Sequence, residues 1–440
     1  MSYWQKEEIV SPEERRVLQG EKLVNMVKRV YRDVPFYTKK MKDMGLQPGD
    51  IRGMDDLHKL PFTTKQDLRD NYPYGLFAVP MKEIIRLHAS SGTTGRPTVV
   101  GYTKNDINMW SDMVARCFNA YGINNKDIVQ VGYGYGLFTG GLGAHYGVEH
   151  LGATVIPISG GNTKKQIRII QEFKSTVLAC TPSYALYIGE SMKNMGIDPR
   201  STSLRVGVFG AEPWTEEMRE EIEELLGIEA MNIYGLSEIM GPGVAFDCKA
   251  RNGLHINEDH FIPEIIDINT LETLPYGNEG ELVFTCVTKE ALPLIRYRTR
   301  DLTSLDSHKC ECGRTLVRMN RISGRSDDML IIRGVNVFPS QIESIIFKID
   351  EVAPYYVLLV DRINNLDTLE VWVEAREEIV LADIKVIAKL EKRINSEIFS
   401  VIGIRVKVRI VEPGTVERSE GKAKRIIDKR KNTKRVMEYS

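Results

Sequence analysis

From about Lys126 to Glu238 the chain repeats one unit, a short apolar β-type run followed by a helical pattern, and this alternation restricts the fold more than any other feature. DIVQVGYG and GATVIPIS read as strands, KKQIRIIQEFK as a helix and STVLAC as a strand. A helical pattern from Tyr184, the strand LRVGVFG, a helix opening near Thr215 with Glu216 and Glu217 in its first turn, and the strand EAMNIYG complete the run. Strand and helix in strict turn predict a parallel sheet with helices on its faces. Ligands of such folds collect beyond the carboxyl ends of the strands. Unusual loops stand at those ends: GYGYGLFTGGLG from Gly132, GAEPW from Gly210 and YGLSE from Tyr234, which together point to one shared cleft.

The last hundred or so residues follow another pattern: LIIRGVNVF, a helix after Pro339, VLLVDR, TLEVWVEA, a long helix from Ala382, and IRVKVRIV. Ile404, Val406, Val408 and Ile410 alternate with Arg405, Lys407 and Arg409, which predicts a half-exposed antiparallel strand. Polar residues and Gly interrupt the apolar pattern at GRSDD, Gly324 to Asp328. The expected architecture is therefore α/β. A large N-terminal domain with parallel sheets and helices spans 1–326, and a small mobile C-terminal α+β domain spans 327–440.

Charge and apolar runs narrow the partners. Lys plus Arg number 59 against 60 acidic residues, a net charge of −1, so nucleic acid is not an expected partner. The basic run after Gly421 reads as a solvated helix face rather than an RNA contact. No apolar run approaches the roughly eighteen residues of a membrane span, and MSYWQKEEIVSPEERR lacks a signal peptide's apolar core, so a cytoplasmic protein with no membrane partner is expected. Six cysteines are too sparse for a disulfide framework, and Cys117, Cys180 and Cys286 sit among apolar residues as core.

The chemistry starts at SSGTTGRPT. Gly92 and Gly95 let backbone N–H groups approach a ligand, Ser90, Ser91, Thr93, Thr94 and Thr98 offer hydroxyls to phosphate oxygens, and Arg96 supplies a cation. The loop is not a Walker A motif, because Gly95 is followed by Arg96 and Pro97 rather than by Lys and Ser or Thr.

This loop, GAEPW, YGLSE, RYRTRDL, ISGRSDDMLIIRGVNVFPSQIE and SEGKAKR occur in one order that resembles the phenylacetate-CoA ligases of the adenylate-forming superfamily, over roughly residues 20 to 435. The resemblance implies ATP-dependent, AMP-forming activation of an arylacetic acid to its CoA thioester through an acyl-adenylate, with ATP, CoA and Mg²⁺ as cofactors. By motif matching, Ser90 to Thr98 would hold the β- and γ-phosphates, with Arg96 where most relatives have Lys. Glu238 would be the Mg²⁺-associated catalytic carboxylate, and Tyr234 would stack near the adenine. Asp301 would accept the ribose hydroxyls, with an ion pair to Arg298 or Arg300 as its competing role. Arg325 would contact the nucleotide, as would Gly210, Ala211, Glu212 and Pro213 of GAEPW. Lys422 would be the lysine that reaches the acid and the α-phosphate. Asp327 resembles the hinge residue and Gly334 the glycine of the pantetheine passage. Tyr133, Tyr135, Phe138 and Ala211 lie where the ring pocket is expected.

The acid stays open among phenylacetate, indoleacetate and hydroxylated analogues, and so does an acceptor other than CoA. A non-catalytic nucleotide-binding module is disfavoured by the joint presence of Glu238, Asp301, Arg325 and Lys422. The relatives tend to be homodimers, which is the expected state.

One pattern departs from the plain form of the family. Cys310 and Cys312 form a close thiol pair, and Cys248 and His255 lie seven apart upstream, a full donor set for a structural Zn²⁺. Asp259 and His260 are alternative ligands to His255.

Overall fold

A computed structural model describes residues 3–90, 97–327, 330–333, 335–363, 366–376, 379, 384–421 and 423–431. The chain opens with α1 (Pro12–Asp33), where Ser11 accepts the Glu14 N–H and Pro12 occupies the first turn, followed by α2 (Pro35–Asp43). Thr64 and Asp67 form a reciprocal capping box that starts α3 (Lys65–Asp70). A hairpin of β1 (Arg86–Ser90) and β2 (Thr98–Tyr102) then brackets positions 91–96. A second capping box, Thr103 with Asp106, starts α4 (Lys104–Ala120).

The alternating region folds as expected: β3 (Ile128–Val131), α5 (Thr139–Leu151), β4 (Thr154–Ile156), α6 (Thr163–Glu172), β5 (Val177–Cys180), α7 (Pro182–Asn194), β6 (Val206–Phe209), α8 (Glu216–Leu226) and β7 (Glu229–Leu236). These strands pair in parallel in the order β4-β3-β5-β6-β7. Thr215 caps α8 through the Met218 N–H, with Glu216 and Glu217 favoured by the positive end of the helix dipole. At β7 the sheet reverses character, because β8 (Gly241–Phe246) pairs with it antiparallel, followed by β9 (Leu254–Ile256). A second, antiparallel sheet is built from β10 (Phe261–Ile266), β11 (Gly280–Cys286), β12 (Tyr297–Thr303) and, after the short β13 (Leu305–Asp306) and β14 (Arg318–Met319), β15 (Gly324–Arg325).

The small domain begins with the hairpin β16 (Leu330–Ile332) and β17 (Val335–Val337), then α9 (Pro339–Ile346), β18 (Val352–Ile363), β19 (Leu366–Ala375), α10 (Ile384–Ile402), β20 (Lys407–Val411) and β21 (Ile426–Asp428). Two sequence expectations fail here. The last alternating strand pairs parallel to β19, not antiparallel, because α10 carries the chain back across the sheet before β20 enters. Its alternation survives, with Lys407 and Arg409 exposed and Val406 and Val408 buried, since only one face of this edge strand is covered. In the described part of the basic run, 423–431, the expected solvated helix face is replaced by a strand: Ile426–Asp428 pairs parallel to β18, and Ile426 packs against the small-domain core, while 432–440 lie outside the described residues.

The small domain has its own core around Ile342, Tyr356, Val371 and Ile394. Phe347 also packs against the large-domain cluster formed by α7 and α8. Among the described residues no helix is long and apolar enough to cross a membrane.

Candidate active site

The cleft forms where β6 and β7 end. Gly210 follows β6 so close to its neighbour that a Cβ there would lie 2.2 Å from the Ile233 carbonyl oxygen, which excludes any larger residue. The next residue, Ala211, is held at φ 72°, a left-handed conformation that costs a non-glycine residue about 1 kcal/mol. Strain of this kind persists where surrounding structure over-determines it. Ala211, Glu212 and Pro213 line a cavity of about 220 Å³ together with Gly210, Tyr234, Asp301, Arg325 and Phe138.

Asp301 is fixed from both sides. The Tyr234 hydroxyl donates to Asp301 Oδ2 at 2.6 Å and Arg325 Nη1 donates to Oδ1 at 2.7 Å. The partner is Arg325 rather than Arg298 or Arg300, which both turn to Glu281. Strand pairing explains this, because Asp301 and Arg325 stand opposite each other in the β12–β15 register. Burial pushes the Asp301 carboxyl above its usual range, while Arg325 and Tyr234 pull the other way.

Glu238, just beyond β7, is buried. Its Oε1 accepts from the Thr98 hydroxyl at 3.1 Å and meets Lys65 Nζ at 3.4 Å. Thr98 is in turn hydrogen-bonded to Ser90, so one stem of the 91–96 segment meets this carboxylate directly and the other reaches it through Thr98. The Glu238 carboxylate and the Thr98 hydroxyl are hard oxygen donors of the kind Mg²⁺ takes, and Lys65 is a cation that would have to yield to or share that carboxylate with the ion. Lys65 was missed by sequence reasoning: a lone lysine opening a short helix carries no pattern, and only the capping box before it marks where its side chain starts. Ser91, Gly92, Thr93, Thr94, Gly95 and Arg96 lie outside the described residues, as do Gly334 and Lys422.

The neighbours of Lys422 are described, and both are attached to the large domain. The Thr181 hydroxyl donates to the Gly421 carbonyl at 2.8 Å, and the Ala423 N–H donates to Glu212 Oε2 at 2.8 Å. Glu212 Oε1 accepts the Ser183 N–H at 2.8 Å. Asp327 is exposed and accepts from Arg325 Nε at 3.0 Å and Nη2 at 3.1 Å. The aromatic residues divide. Tyr133 is buried in the core and donates to the Val208 carbonyl at 3.2 Å, half-buried Tyr135 meets His145 Nδ1 at 3.3 Å, and Phe138 is 42% exposed on the cavity wall.

Away from the cleft, Cys248, His255, Cys310 and Cys312 converge, all buried, with their donor atoms within 4.8 Å of one another. The Cys248 and Cys310 sulfurs are 3.7 Å apart and Cys312 Sγ lies 3.3 Å from His255 Nε2. A tetrahedral zinc with bonds of about 2.1–2.3 Å asks for donor separations of roughly 3.6–3.8 Å; the Cys248–Cys310 separation of 3.7 Å meets that, and the 3.3 Å Cys312–His255 separation lies just below it. His255 Nδ1 faces the Leu316 carbonyl at 3.4 Å, which leaves Nε2 toward the thiols. Asp259 is committed to Arg116 and His260 to Thr288 and Asp259, so neither replaces His255.

Known proteins align with this arrangement. The AMP-binding enzyme family model matches residues 56–286, and the AMP-binding enzyme C-terminal domain matches 334–430. The phenylacetate-coenzyme A ligase of Aromatoleum evansii is 54% identical over 426 residues, 96% of each chain. A crystal structure of 2-hydroxyisobutyryl-CoA ligase in the postadenylation state with R3-HIB-AMP superposes with a TM-score of 0.91 at 27% identity, covering 98% of this chain and 93% of that one. The same enzyme with 2-HIB-AMP and CoA in the thioesterification state gives 0.72 at 28% identity over 100% and 95%.

Proposed function

The chain belongs to the phenylacetate-coenzyme A ligase family of AMP-binding enzymes, and from that premise we propose that it joins phenylacetate to CoA at the expense of ATP, releasing AMP and pyrophosphate. In the first half-reaction a carboxylate oxygen attacks the α-phosphorus and the bond to pyrophosphate breaks. In the second the CoA thiol loses its proton, its sulfur attacks the acyl carbon, and AMP leaves.

The observation that carries this reading is the Tyr234–Asp301–Arg325 set on the wall of one cavity together with Glu212, whose carboxylate also accepts the N–H of Ala423 beside Lys422, while Glu238 follows Ser237 of the same wall. Asp301 is an acceptor held ready for the ribose hydroxyls, with Arg325 and Tyr234 fixing its orientation. Residues 90–98 take the β- and γ-phosphates. Glu238 and Thr98 would hold Mg²⁺, which when bound neutralises phosphate oxygens. Lys422 approaches from the small domain 327–440, which turns about Asp327 on the large domain 1–326 and brings Gly334 to the pantetheine passage. Phe138, Tyr135 and Ala211 bound the ring of the acid, with Tyr133 behind them.

An acid panel assayed for CoA-dependent AMP production tests the assignment. Phenylacetate should give AMP only when ATP and CoA are both present. Failure with every arylacetate would remove the acid from the proposal, and pyrophosphate release without a CoA thioester would move it to another acceptor.

Cys248, His255, Cys310 and Cys312 hold a structural Zn²⁺ in this reading, tying β9 to the 310–312 turn. Protein purified without chelator should carry about one equivalent of zinc, and Cys310→Ser should lose it while lowering thermal stability. Less than about a tenth of an equivalent in the unaltered protein rejects the site.

A further inference from the structure

The segment that carries Lys422 is fastened to the large domain more elaborately than a passing contact requires. Glu420 Oε1 accepts from the Thr163 hydroxyl at 2.8 Å and from the Thr163 N–H at 3.4 Å. Thr163 is the first residue of the ten-residue helix α6, so this carboxylate takes an N–H that the helix cannot satisfy itself and sits at the positive end of its dipole. The approach is close: a Cβ on Gly161 would lie 3.0 Å from Glu420 Oε2, and Gly161 has φ +84°. One residue on, the Gly421 carbonyl accepts from Thr181, the residue that precedes α7. Two residues further, the Ala423 N–H reaches Glu212 Oε2, whose other oxygen accepts the Ser183 N–H in the first turn of α7. The start of α6 and the start of α7 thus hold residues 420, 421 and 423.

We propose that Glu420, through Thr163, and Glu212, through Ala423, are positioning residues for the adenylation half-reaction. They clip the segment around Lys422 onto two helix starts and so set where that lysine can work. Neither carboxylate is the attacking or departing group. Glu212, matched by motif to the nucleotide-binding segment, has both oxygens engaged by backbone N–H groups and acts on the small domain. Because the clip joins the two domains, it must open before the small domain turns for the second half-reaction, and its loss therefore strikes the two steps unequally. The inference rests on the ligase reading above.

The test separates the steps. Thr163→Val, Glu420→Gln and Glu212→Gln should each lower phenylacetate-dependent ATP–pyrophosphate exchange by about tenfold. Thioester formation from supplied phenylacetyl-adenylate and CoA should stay within about twofold of the unaltered protein. Thr163→Ser, which keeps the hydroxyl, should retain full exchange. Equal losses in both steps, or full exchange in the Val and Gln variants, overturn the proposal. If the unaltered protein shows no phenylacetate-dependent exchange, the substrate assignment fails, and the clip is judged by small-angle scattering of the ligand-free protein. Thr163→Val and Glu420→Gln must then shift the curve toward a larger radius of gyration, and an unchanged curve overturns the clip.

Discussion

Asp301 is buried, yet the role proposed for it, accepting from ribose hydroxyls, calls for the ionised form, and the tension between burial and that role sets its expected pH behaviour. Burial raises its folded pKa above the unfolded value, so it takes up a proton at a higher pH than an ordinary carboxylate as the solution is acidified. The stability it contributes is then fully present below the unfolded pKa and lost as pH rises through the folded pKa, the opposite trend to binding. The KM for ATP should therefore climb on the acid side of neutrality. Asp301→Asn should raise that KM on the order of 10- to 100-fold, the loss of charge-assisted bonds, and flatten its pH dependence. A KM for ATP that keeps its pH profile in Asp301→Asn would take the titration away from this residue. Lys65 makes a second residue-scale case. Its ammonium is 3.4 Å from Glu238, on the side where the 91–96 segment begins and ends. Lys65→Met should slow ATP–pyrophosphate exchange by on the order of tenfold or more, while Lys59→Met, whose ammonium pairs with Asp56 away from the cavity, should leave it unchanged.

At the scale of elements, the β6 end is the most demanding joint in the cleft. Gly210→Ala would drive a Cβ to 2.2 Å from the Ile233 carbonyl, and because strand backbone cannot yield as a flexible side chain does, the cost should be about 2–4 kcal/mol. A lowered melting temperature should come with lost exchange, since β6 and β7 carry Ala211 and Tyr234. Gly49→Ala, with nothing within 4 Å of its Cβ, should change neither. The legibility of these elements in the sequence follows their physics. The β3 to β7 alternation was readable because the central strands β5 and β6 are buried on both faces and α6 and α8 open with side-chain caps at Asn162 and Thr215. The direction of β20 was not, because a one-sided edge strand shows the same alternation whether its neighbour is parallel or antiparallel. Glu238 and Asp301 were singled out from their motifs, whereas the pairing of Asp301 with Arg325 rather than with Arg298 or Arg300 depends on the β12–β15 register, which local sequence does not encode. Tyr133 shows the converse. Its composition suited a ring pocket, but its hydroxyl has a core carbonyl to satisfy.

For the whole molecule, the question is what holds the small domain in the orientation that superposes at 0.91 on a postadenylation structure and at only 0.72 on a thioesterification one. Beside the Glu420 and Glu212 contacts runs a charged seam. Arg376 faces Glu221 at 3.3 Å, Lys348 faces Glu217 at 3.7 Å and Arg418 faces Glu190 at 3.8 Å, with acids on the large domain and bases on the small one. Burial pushes the Glu190 and Glu221 carboxyls up, opposed by Arg418 and Arg376 respectively among the nearby groups. Arg418 is preorganised, since Glu374 binds it at 2.7 Å and its guanidinium lies 3.3 Å from the Tyr355 ring centroid, so its pair with Glu190 costs little further side-chain entropy. Partly exposed pairs of this kind are each worth about 0–1 kcal/mol, so no single one locks the orientation. Acting together they bias it, and salt weakens the bias because the screening length falls from about 10 Å at 0.1 M to about 3 Å at 1 M. Raising the salt should therefore slow ATP–pyrophosphate exchange more than thioester formation from supplied acyl-adenylate and CoA. Combining Glu221→Gln with Arg376→Gln should blunt that difference, because one screened attraction is already gone. A salt response equal in the two half-reactions, and unchanged in the double variant, would mean that hydrogen bonds and the packing of Phe347 alone set the orientation.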